Sequence, residues 1–166
     1  QILNTKIYVF ISIEKSSMFL SFVILLRFVA INSEQLISRG KPVSISSEFG
    51  EHRKELGNDG NYNQNLSNCS ITKMEVNPYW MVDLESDLEI NYVIIYNRID
   101  DRFDGFIGAN IEVLDENNVL IYTCGIIDEY KPFYFIPCFW TMGRKVRVIH
   151  HRIEQLALCE LEAFGI

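Results

Sequence analysis

The chain is short of the features that several classes of protein require. Its 15 Lys and Arg residues are outnumbered by 22 Asp and Glu residues, which gives a formal charge of −7 over 166 residues. A nucleic-acid-binding surface is basic, so this balance argues against a nucleic-acid partner. Only four cysteines are present, without a Cys-x-x-Cys spacing, which excludes a disulfide-dense miniprotein and disfavours a zinc site.

No apolar run is long enough to form a membrane-spanning helix. The run 18–30 (MFLSFVILLRFVA) is too short for a bilayer and contains Arg27. A basic residue precedes it and small residues follow, a pattern typical of a secretory signal that is cleaved near Ser33. A buried N-terminal helix and a retained anchor are the alternatives. We therefore predict an upstream segment with a signal peptide over 1–33 and one secreted domain over 34–166.

Helical periodicity is almost absent, whereas short strand-like runs recur along the chain. The run 90–96 (INYVIIY) is apolar on both faces and is predicted to be a central strand. The runs 111–114 and 119–122 flank polar residues that are typical of a hairpin turn. Two prolines bound 133–136, which predicts a brief or edge strand. The segment 156–164 fits a helix or a strand, and its all-β surroundings favour a strand.

The stretch 47–78 is polar, rich in Asn, Gly and Glu, and has no apolar run. So much irregular chain inside a compact domain indicates a function or a covalent tie, and Cys69 is a candidate for the tie. The four cysteines leave three pairings open. Within the stretch, Asp59-Gly60-Asn61 offers the oxygen ligands that Ca²⁺ prefers, although read alone it is more often a plain turn. We expect a metal or ligand site here.

A dense charge cluster, Arg98, Asp100, Asp101 and Arg102, follows the strand predicted over 90–96. An Arg side chain can bind vicinal hydroxyls or a carboxylate, and a neighbouring Asp can hold it in place. The alternative is a solvated cluster of surface ion pairs. The sequence has no Ser-His-Asp, Cys-His or phosphate-loop pattern. We therefore predict a binding protein and not an enzyme.

Taken together, several segments resemble the F-type lectins, or fucolectins, of the discoidin-like (coagulation factor 5/8 C-type) superfamily. They follow the family order and cover 39–166. The most specific are 78–84 (PYWMVDL), 96–98 (YNR) and 158–165 (LCELEAFG). The resemblance implies an all-β fold, a jelly-roll β-sandwich of about eight antiparallel strands that binds L-fucose and holds a structural calcium ion.

The resemblance also implies a sugar-binding motif, in which a His is followed by Arg-x-Asp and then by a further basic residue. Arg98 and Asp100 match the Arg-x-Asp, and Arg102 supplies the second basic residue after a shortened loop. The motif His falls on Ile71, which cannot form its hydrogen bond. Fucose binding is therefore expected to be weakened or lost, because an unmade hydrogen bond in a binding site costs affinity.

Calcium ligands and disulfides are carried over from the same resemblance. It pairs Cys69 with Cys159 and Cys124 with Cys138. Glu160 supplies the distant carboxylate that the polar stretch lacks. The implied ligands are a carbonyl near Leu56, the Asp59 carboxylate, the Asn61 carbonyl, the Asn68 side-chain oxygen, the Cys159 carbonyl and the Glu160 carboxylate.

The sequence thus predicts a secreted, calcium-containing carbohydrate-binding protein whose partners are glycans. Membrane contact is expected only through glycans, and self-association is expected because multivalency raises the avidity of weak sites. The alternative is a discoidin-like adhesion module that has lost sugar binding and binds protein or lipid. Ile71 and the shortened loop favour that alternative, whereas the net negative charge opposes anionic lipid.

Overall fold

The computed structural model describes residues 33–100 and 104–166, of which Glu34–Ile166 form one compact unit. The predicted upstream segment and signal peptide therefore lie outside the described residues, apart from Ser33. Within the described part of the chain, no helix has the length and apolar character that crossing a membrane requires. Short 3-10 helices lie at Lys54–Gly57, Leu66–Asn68 and Asp104–Phe106.

The described residues are mostly strand, and every strand pair is antiparallel. The strands are β1 Gln35–Leu36, β2 Val43–Ile45, β3 Ser70–Ile71, β4 Glu75–Val76, β5 Tyr79–Tyr96, β6 Asn110–Leu114, β7 Leu120–Ile126, β8 Phe133–Ile149, β9 Ile153–Glu154, β10 Ala157–Leu158 and β11 Glu160–Gly165. The main sheet has the order β1-β11-β5-β8-β6-β7, with β2 beside β5. Two small sheets, β10-β3 and β4-β9, complete the architecture. The prediction of an all-β, discoidin-like sandwich is confirmed.

Two long strands, β5 and β8, form the spine of the fold. They pair from Tyr79 opposite Ile149 to Tyr96 opposite Phe133, with two shifts of register on the way. The run 90–96 lies in the middle of the sheet, between β11 and β8, as predicted. The register shifts let each strand bend while its hydrogen-bonded ladder continues.

Of the two alternatives predicted for 133–136, the brief strand is wrong and the edge strand is right. Strand β8 begins there and runs for 17 residues, through Pro137. The second register shift of β5 and β8 falls beside Pro137, where a ladder hydrogen bond is already interrupted. Just beyond it, Phe139 and Trp140 adopt positive φ angles of 54° and 60°. The first part of β8 pairs only with β5 among the described strands, so it is an edge there.

The core lies on the inward faces of these strands and extends to the polar stretch. Trp80 is buried on β5, and its Nε1–H donates to the Lys54 carbonyl over 2.9 Å. A Cβ on Gly57 would come within 2.8 Å of the indole ring, so only glycine fits beneath it. This contact fixes the helix Lys54–Gly57 against the core, and with it the chain that leads to Asp59.

The hairpin predicted from the sequence is present as β6 and β7. Asp115 Oδ1 accepts from the Asn117 and Val119 amides, each over 2.8 Å, which closes the turn. A disulfide joins Cys124 of β7 to Cys138 of β8, 14 residues apart. This is one of the two pairings that the resemblance implies.

Candidate functional site

The site begins where β5 ends, at Asn97. This side chain is fully buried, and its Oδ1 accepts from the Arg98 amide over 2.8 Å. Its Nδ2 donates to the Lys131 carbonyl, and its own amide donates to the Pro132 carbonyl. The buried Asn97 thereby fixes the direction in which the chain leaves the sheet and presents Arg98.

Arg98 and Asp100 form an ion pair, in which Nε of the guanidinium donates to Oδ1 of the carboxylate. The other oxygen of Asp100 accepts from the Leu66 amide over 2.8 Å. Partial burial acts to raise the pKa of Asp100, but the bonds from Leu66 and Arg98 outweigh it and hold this pKa below its ordinary value. Asp100 is thus a fixed anion that orients the guanidinium. Arg102, the second predicted basic residue, lies outside the described residues.

Gln64 joins the polar stretch to this loop. Its carbonyl accepts from the Ile99 amide over 3.1 Å, and its Nε2 donates to the Asn97 carbonyl over 2.7 Å. Gln64 Nε2 also donates to the Pro132 carbonyl. Sequence reasoning missed Gln64, and no pattern around it signals that its partners lie more than thirty residues away.

Ile71 is the residue to which the resemblance assigns the family's sugar-binding His. It is 3% exposed on β3 and packs in a small apolar cluster with Cys69, Ala157 and Cys159. An aliphatic side chain there provides packing and no hydrogen bond to a ligand. The predicted loss of the sugar-binding His stays a prediction.

A second group of predicted residues meets around Glu160. The Gly60 amide points at this carboxylate, 3.2 Å from each oxygen. Gly60 has a φ of +82°, and a Cβ there would lie 2.8 Å from a guanidinium nitrogen of Arg39. Both features require glycine, which explains why the Asp59-Gly60-Asn61 turn can approach Glu160 so closely.

The Glu160 carboxylate is completely buried. Its nearest cation is Arg39, whose Nη2 lies 3.9 Å from Oε1. Burial raises the pKa of Glu160 to about 7, although the Gly60 amide and the Arg39 charge oppose the shift; nearby Asp59 adds to it. A buried carboxylate with so little neutralising charge is expensive in free energy unless a cation binds it.

Four of the remaining predicted ligands, Leu56, Asp59, Asn61 and Asn68, lie on either side of Gly60 in the polar stretch. Asp59 Oδ1 accepts from the Asn61 amide over 2.8 Å, which shapes the turn. Asn61 Nδ2 donates to Asn68 Oδ1 over 3.1 Å. Leu56 lies in the helix three residues before Asp59, where its amide donates to the Arg53 carbonyl. The predicted role of its own carbonyl stays a prediction.

The Cys69–Cys159 disulfide clamps the two halves of this group together across 90 residues of sequence. It places Asn68 next to the chain that carries Glu160. The Cys159 amide donates to the Tyr96 carbonyl over 3.0 Å, which ties the bridge to the end of β5. The structure thus has both disulfides that the resemblance implies.

Sequence reasoning missed Arg39 and Glu162, which form a polar network beside Glu160. Arg39 Nη2 donates to Glu162 Oε1 over 2.6 Å, and the Tyr62 hydroxyl donates to the same oxygen over 2.7 Å. The Tyr62 ring packs edge-on against Tyr96. Arg39 and Glu162 are 123 residues apart, and only the folded sheet brings them together.

Within 33–100 and 104–166, no three His, Cys, Asp or Glu side chains gather into a group that could hold a metal ion. A calcium site among these residues would therefore combine the carboxylates of Asp59 and Glu160 with carbonyl and amide oxygens. Ca²⁺ accepts such mixed oxygen ligands, in sets of six to eight.

Comparison with known proteins places this geometry in a family. The F5/F8 type C family model, described as a NedA-like, galactose-binding domain, matches residues 57–148. Fucolectin-4 of Anguilla japonica is 33% identical over 143 residues, which cover 78% of each chain. A pentraxin fusion protein of Xenopus laevis is 31% identical over 103 residues, but this match spans only 25% of that protein.

Solved structures give the same picture. A fucose-binding module of Streptococcus pneumoniae, SpX-3, superposes with a TM-score of 0.74 at 26% identity, covering 80% of this chain and 98% of the module. The lectin domain of lectinolysin, solved with Lewis B antigen, has a TM-score of 0.75 at 25% identity, covering 80% and 97%. Fold and matches together define a discoidin-like domain of the F5/F8 type C class. Within that class, the chain belongs to the fucolectin, or F-type lectin, family.

Proposed function

We propose that this chain is an extracellular lectin domain that binds glycans through the loop after β5 and holds a structural calcium ion at Glu160. The observation that carries the proposal is the Arg98–Asp100 pair, which the Leu66 amide and buried Asn97 fix in one orientation. Such a pre-ordered guanidinium loses little conformational entropy when it binds a ligand.

Arg98 would bind the sugar through its guanidinium group, whose planar set of N–H donors suits a pair of neighbouring hydroxyl oxygens. Asp100 accepts from Nε and so keeps the guanidinium in place, and Arg102 would supply the second cation. The names of the matched relatives, fucolectins and a fucose-binding module, support a fucose-type ligand. With Ile71 in place of the motif His, one lost hydrogen bond weakens binding by roughly ten- to a hundredfold.

The residues around Glu160 fit a calcium ion. The carboxylate is buried, its pKa is raised to about 7, and Arg39 lies 3.9 Å away. A divalent cation would supply the missing positive charge and tie Asp59 to Glu160. The chain would supply the oxygen ligands. The Gly60 turn would bring the Asp59 carboxylate to Glu160, and the Cys69–Cys159 disulfide would bring the Asn68 side-chain oxygen and the Cys159 carbonyl.

The role is one of binding and not catalysis. The family to which the chain belongs consists of lectins and carbohydrate-binding modules. Two disulfides support an extracellular location, where such bridges persist. Membrane contact would then arise through glycans, because a formal charge of −7 opposes an anionic bilayer surface.

The test is titration calorimetry with L-fucose, in calcium and again in EDTA. We expect weak but saturable binding in calcium that Arg98→Ala abolishes. Arg144→Ala is the matched control, since Arg144 also pairs with an aspartate, Asp83, which lies thirteen residues before the end of β5. Loss of binding in both variants alike would contradict the assignment to Arg98.

The alternative is a discoidin-like adhesion module that binds protein or lipid, and buried Ile71 is the observation in its favour. It predicts no binding of fucose or of Lewis-type oligosaccharides, while calcium still raises the melting temperature. That result would retain the fold and the ion but reject the lectin function.

A further inference from the structure

Two adjacent N-glycosylation sequons lie in the polar stretch 47–78, at Asn65-Leu66-Ser67 and Asn68-Cys69-Ser70. Both are read by the same enzyme on the unfolded chain. A chain that carries a glycan must still fold the polar stretch and form the Cys69–Cys159 disulfide, so the folded structure limits which asparagine can carry one. The two asparagines differ sharply in this respect.

Asn65 is exposed, and only its backbone is engaged. Its amide donates to Asn63 Oδ1 over 3.1 Å, and its carbonyl accepts from the Asn68 amide over 2.9 Å. No hydrogen bond joins the Asn65 side chain to any residue of 33–100 or 104–166. A sugar on Nδ2 of this exposed residue would therefore displace no hydrogen bond among the described residues. Ser67, the third residue of the sequon, is also exposed.

Asn68 is half-buried, and its side chain is engaged at both ends. Oδ1 accepts from Asn61 over 3.1 Å, and Nδ2 donates to Ser67 Oγ over 3.2 Å. The next residue is in the Cys69–Cys159 bridge, and Ser70 is 1% exposed. A glycan on Nδ2 of Asn68 would break these contacts beside the bridge, so the folded domain does not accommodate it.

We propose that Asn65, and not Asn68, carries an N-linked glycan, which stands at the rim of the Arg98–Asp100 loop. The next amide, that of Leu66, lies 2.8 Å from Asp100 Oδ2. In the reaction, Nδ2 of Asn65 attacks the anomeric carbon of a lipid-diphosphate-linked oligosaccharide. The N–C bond forms, the C–O bond to the diphosphate breaks, the lipid diphosphate leaves, and one amide proton is released.

The test is secretion of the full chain from a eukaryotic cell line, followed by intact mass and glycopeptide analysis. We expect one N-glycan, at Asn65. Ser67→Ala should lose the entire glycan mass, whereas the matched Ser70→Ala, which removes only the second sequon, should retain it. Trypsin should cleave at Arg98 more slowly in the glycosylated protein than in Ser67→Ala, because the glycan stands beside that loop.

A secreted, folded protein without a glycan at Asn65, or with one at Asn68, would overturn the proposal. Equal trypsin cleavage of the glycosylated and Ser67→Ala proteins would overturn the rim position. The proposal requires only passage through the secretory pathway, and its readouts do not depend on fucose or calcium. Failure of the lectin function would therefore leave it standing.

An independent observation concerns the side of the sandwich formed by β7 and the first part of β8. Neither β7 (LIYTCGI) nor 133–143 (FYFIPCFWTMG) contains a charged residue. Nine large apolar side chains there are 39% to 67% exposed, whereas Tyr134 and Ile136 point inward and are buried. The nine exposed residues are Leu120, Ile121, Tyr122, Ile126, Phe133, Phe135, Phe139, Trp140 and Met142, which we call the apolar side.

The two strands that carry the apolar side contact each other beneath it. The Cys124–Cys138 bridge joins them, and a Cβ on Gly125 would lie 3.2 Å from Ile136. Among the described strands, β7 pairs only with β6, and 133–143 pairs only with β5. Each therefore presents an open backbone edge next to exposed apolar side chains, a combination that favours association with another strand.

We infer that the apolar side is the interface with a second copy of this chain. Aromatic side chains bury roughly 150–250 Å² each. Five half-exposed aromatics with four aliphatics thus offer roughly 800 Å², which is about what each partner contributes to a standard interface. The lack of charge removes the like-charge repulsion that two acidic copies meet elsewhere.

Sedimentation velocity on the full chain tests this inference. We expect a concentration-dependent dimer, converted to monomer by Phe139→Lys. Val76→Lys, at a comparably exposed valine of β4, is the control and should leave the dimer intact. A monomer at all concentrations, a dimer unaffected by Phe139→Lys, or a monomer that binds neutral phosphatidylcholine vesicles through Phe139 would overturn it.

Discussion

The two disulfides hold regions of opposite character. Cys69–Cys159 closes a separation of 90 residues and ties a polar, irregular stretch to the start of β11. Cys124–Cys138 closes only 14 residues and joins two strands in an apolar region, each of which already pairs with another strand, β7 with β6 and the first part of β8 with β5. One bridge assembles a site from distant parts of the chain, whereas the other reinforces strands that pairing and packing already order.

The difference shows where the order of the candidate site comes from. The polar stretch has few apolar side chains to bury, so it depends on specific ties: the Trp80 bond to the Lys54 carbonyl, the Gly60 contact with Glu160, and the bridge. The β7–β8 region depends on strand pairing and apolar contact. Removing one of these contacts should therefore lower the order of the polar stretch far more than removing one contact lowers the order of β7 and β8.

The largest expected effect is that of the longer bridge. In the chain-entropy model, loss of Cys69–Cys159 (both to Ala) costs about 4 to 5 kcal/mol of unfolding free energy, and loss of Cys124–Cys138 costs about 3. Urea unfolding of the two double variants measures both values. If the shorter bridge contributed more stability than the longer one, the contrast drawn here would be wrong.

The next largest effect concerns the buried Glu160. Its pKa is raised by burial from an ordinary 4.5 to about 7, so the folded state binds more protons than the unfolded state between these values. Without calcium, stability should therefore be full below about pH 4.5 and fall by up to about 3 kcal/mol as the pH rises through 7. Thermal melts in EDTA across this range measure the slope.

Glu160→Gln tests the role of the buried charge directly, because the amide side chain keeps the shape of the carboxylate and removes its charge. In EDTA at alkaline pH the variant should melt above the wild type, and calcium should no longer raise its melting temperature. A calcium response in Glu160→Gln equal to that of the wild type would remove Glu160 from the proposed site.

A smaller effect is expected at Asp100. Asp100→Asn keeps an oxygen for the Leu66 amide but removes the charge that holds Arg98. L-fucose should bind about tenfold more weakly, which corresponds to about 1.4 kcal/mol, with little change in stability. Calorimetry and a melting curve separate the two, and unchanged affinity would show that Asp100 does not orient the guanidinium.

The smallest predicted effect is at Tyr62, whose hydroxyl donates to Glu162 over 2.7 Å. Tyr62→Phe should cost about 0.5 to 1.5 kcal/mol of unfolding free energy. Tyr79→Phe is the control, since its hydroxyl has no hydrogen bond to a residue the structure describes. Equal costs in both variants would mean that the network around Glu162 adds no stability of its own.

Sequence alone predicted the parts of the fold that depend on local pattern. The strand at 90–96 follows from a run that is apolar on both faces, and the hairpin turn at Asp115 follows from polar turn residues between two apolar runs. The structure confirms both. The length of β8 was mispredicted. Proline ends a strand only where its missing N–H would have to donate a hydrogen bond to a neighbouring strand. In the structure Pro137 lies at a register shift on an open edge.

The candidate site was only partly predictable for a related reason. Glu160 was predicted only from the family resemblance, and in the structure its carboxylate accepts from the Gly60 amide. Arg39 and Glu162 have no local signal, since their pairing depends on how β11 lies in the sheet. Long-range pairs of this kind are set by topology, which a single sequence does not display.

The most direct test of the central claim is a crystal structure of the chain grown with calcium and L-fucose. We expect the sugar hydroxyls within hydrogen-bonding distance of the Arg98 guanidinium, with Asp100 still bound to Nε, and a calcium ion on the Glu160 carboxylate. Calcium at Glu160 with the sugar elsewhere, or with no sugar bound, would contradict the lectin function assigned to this loop.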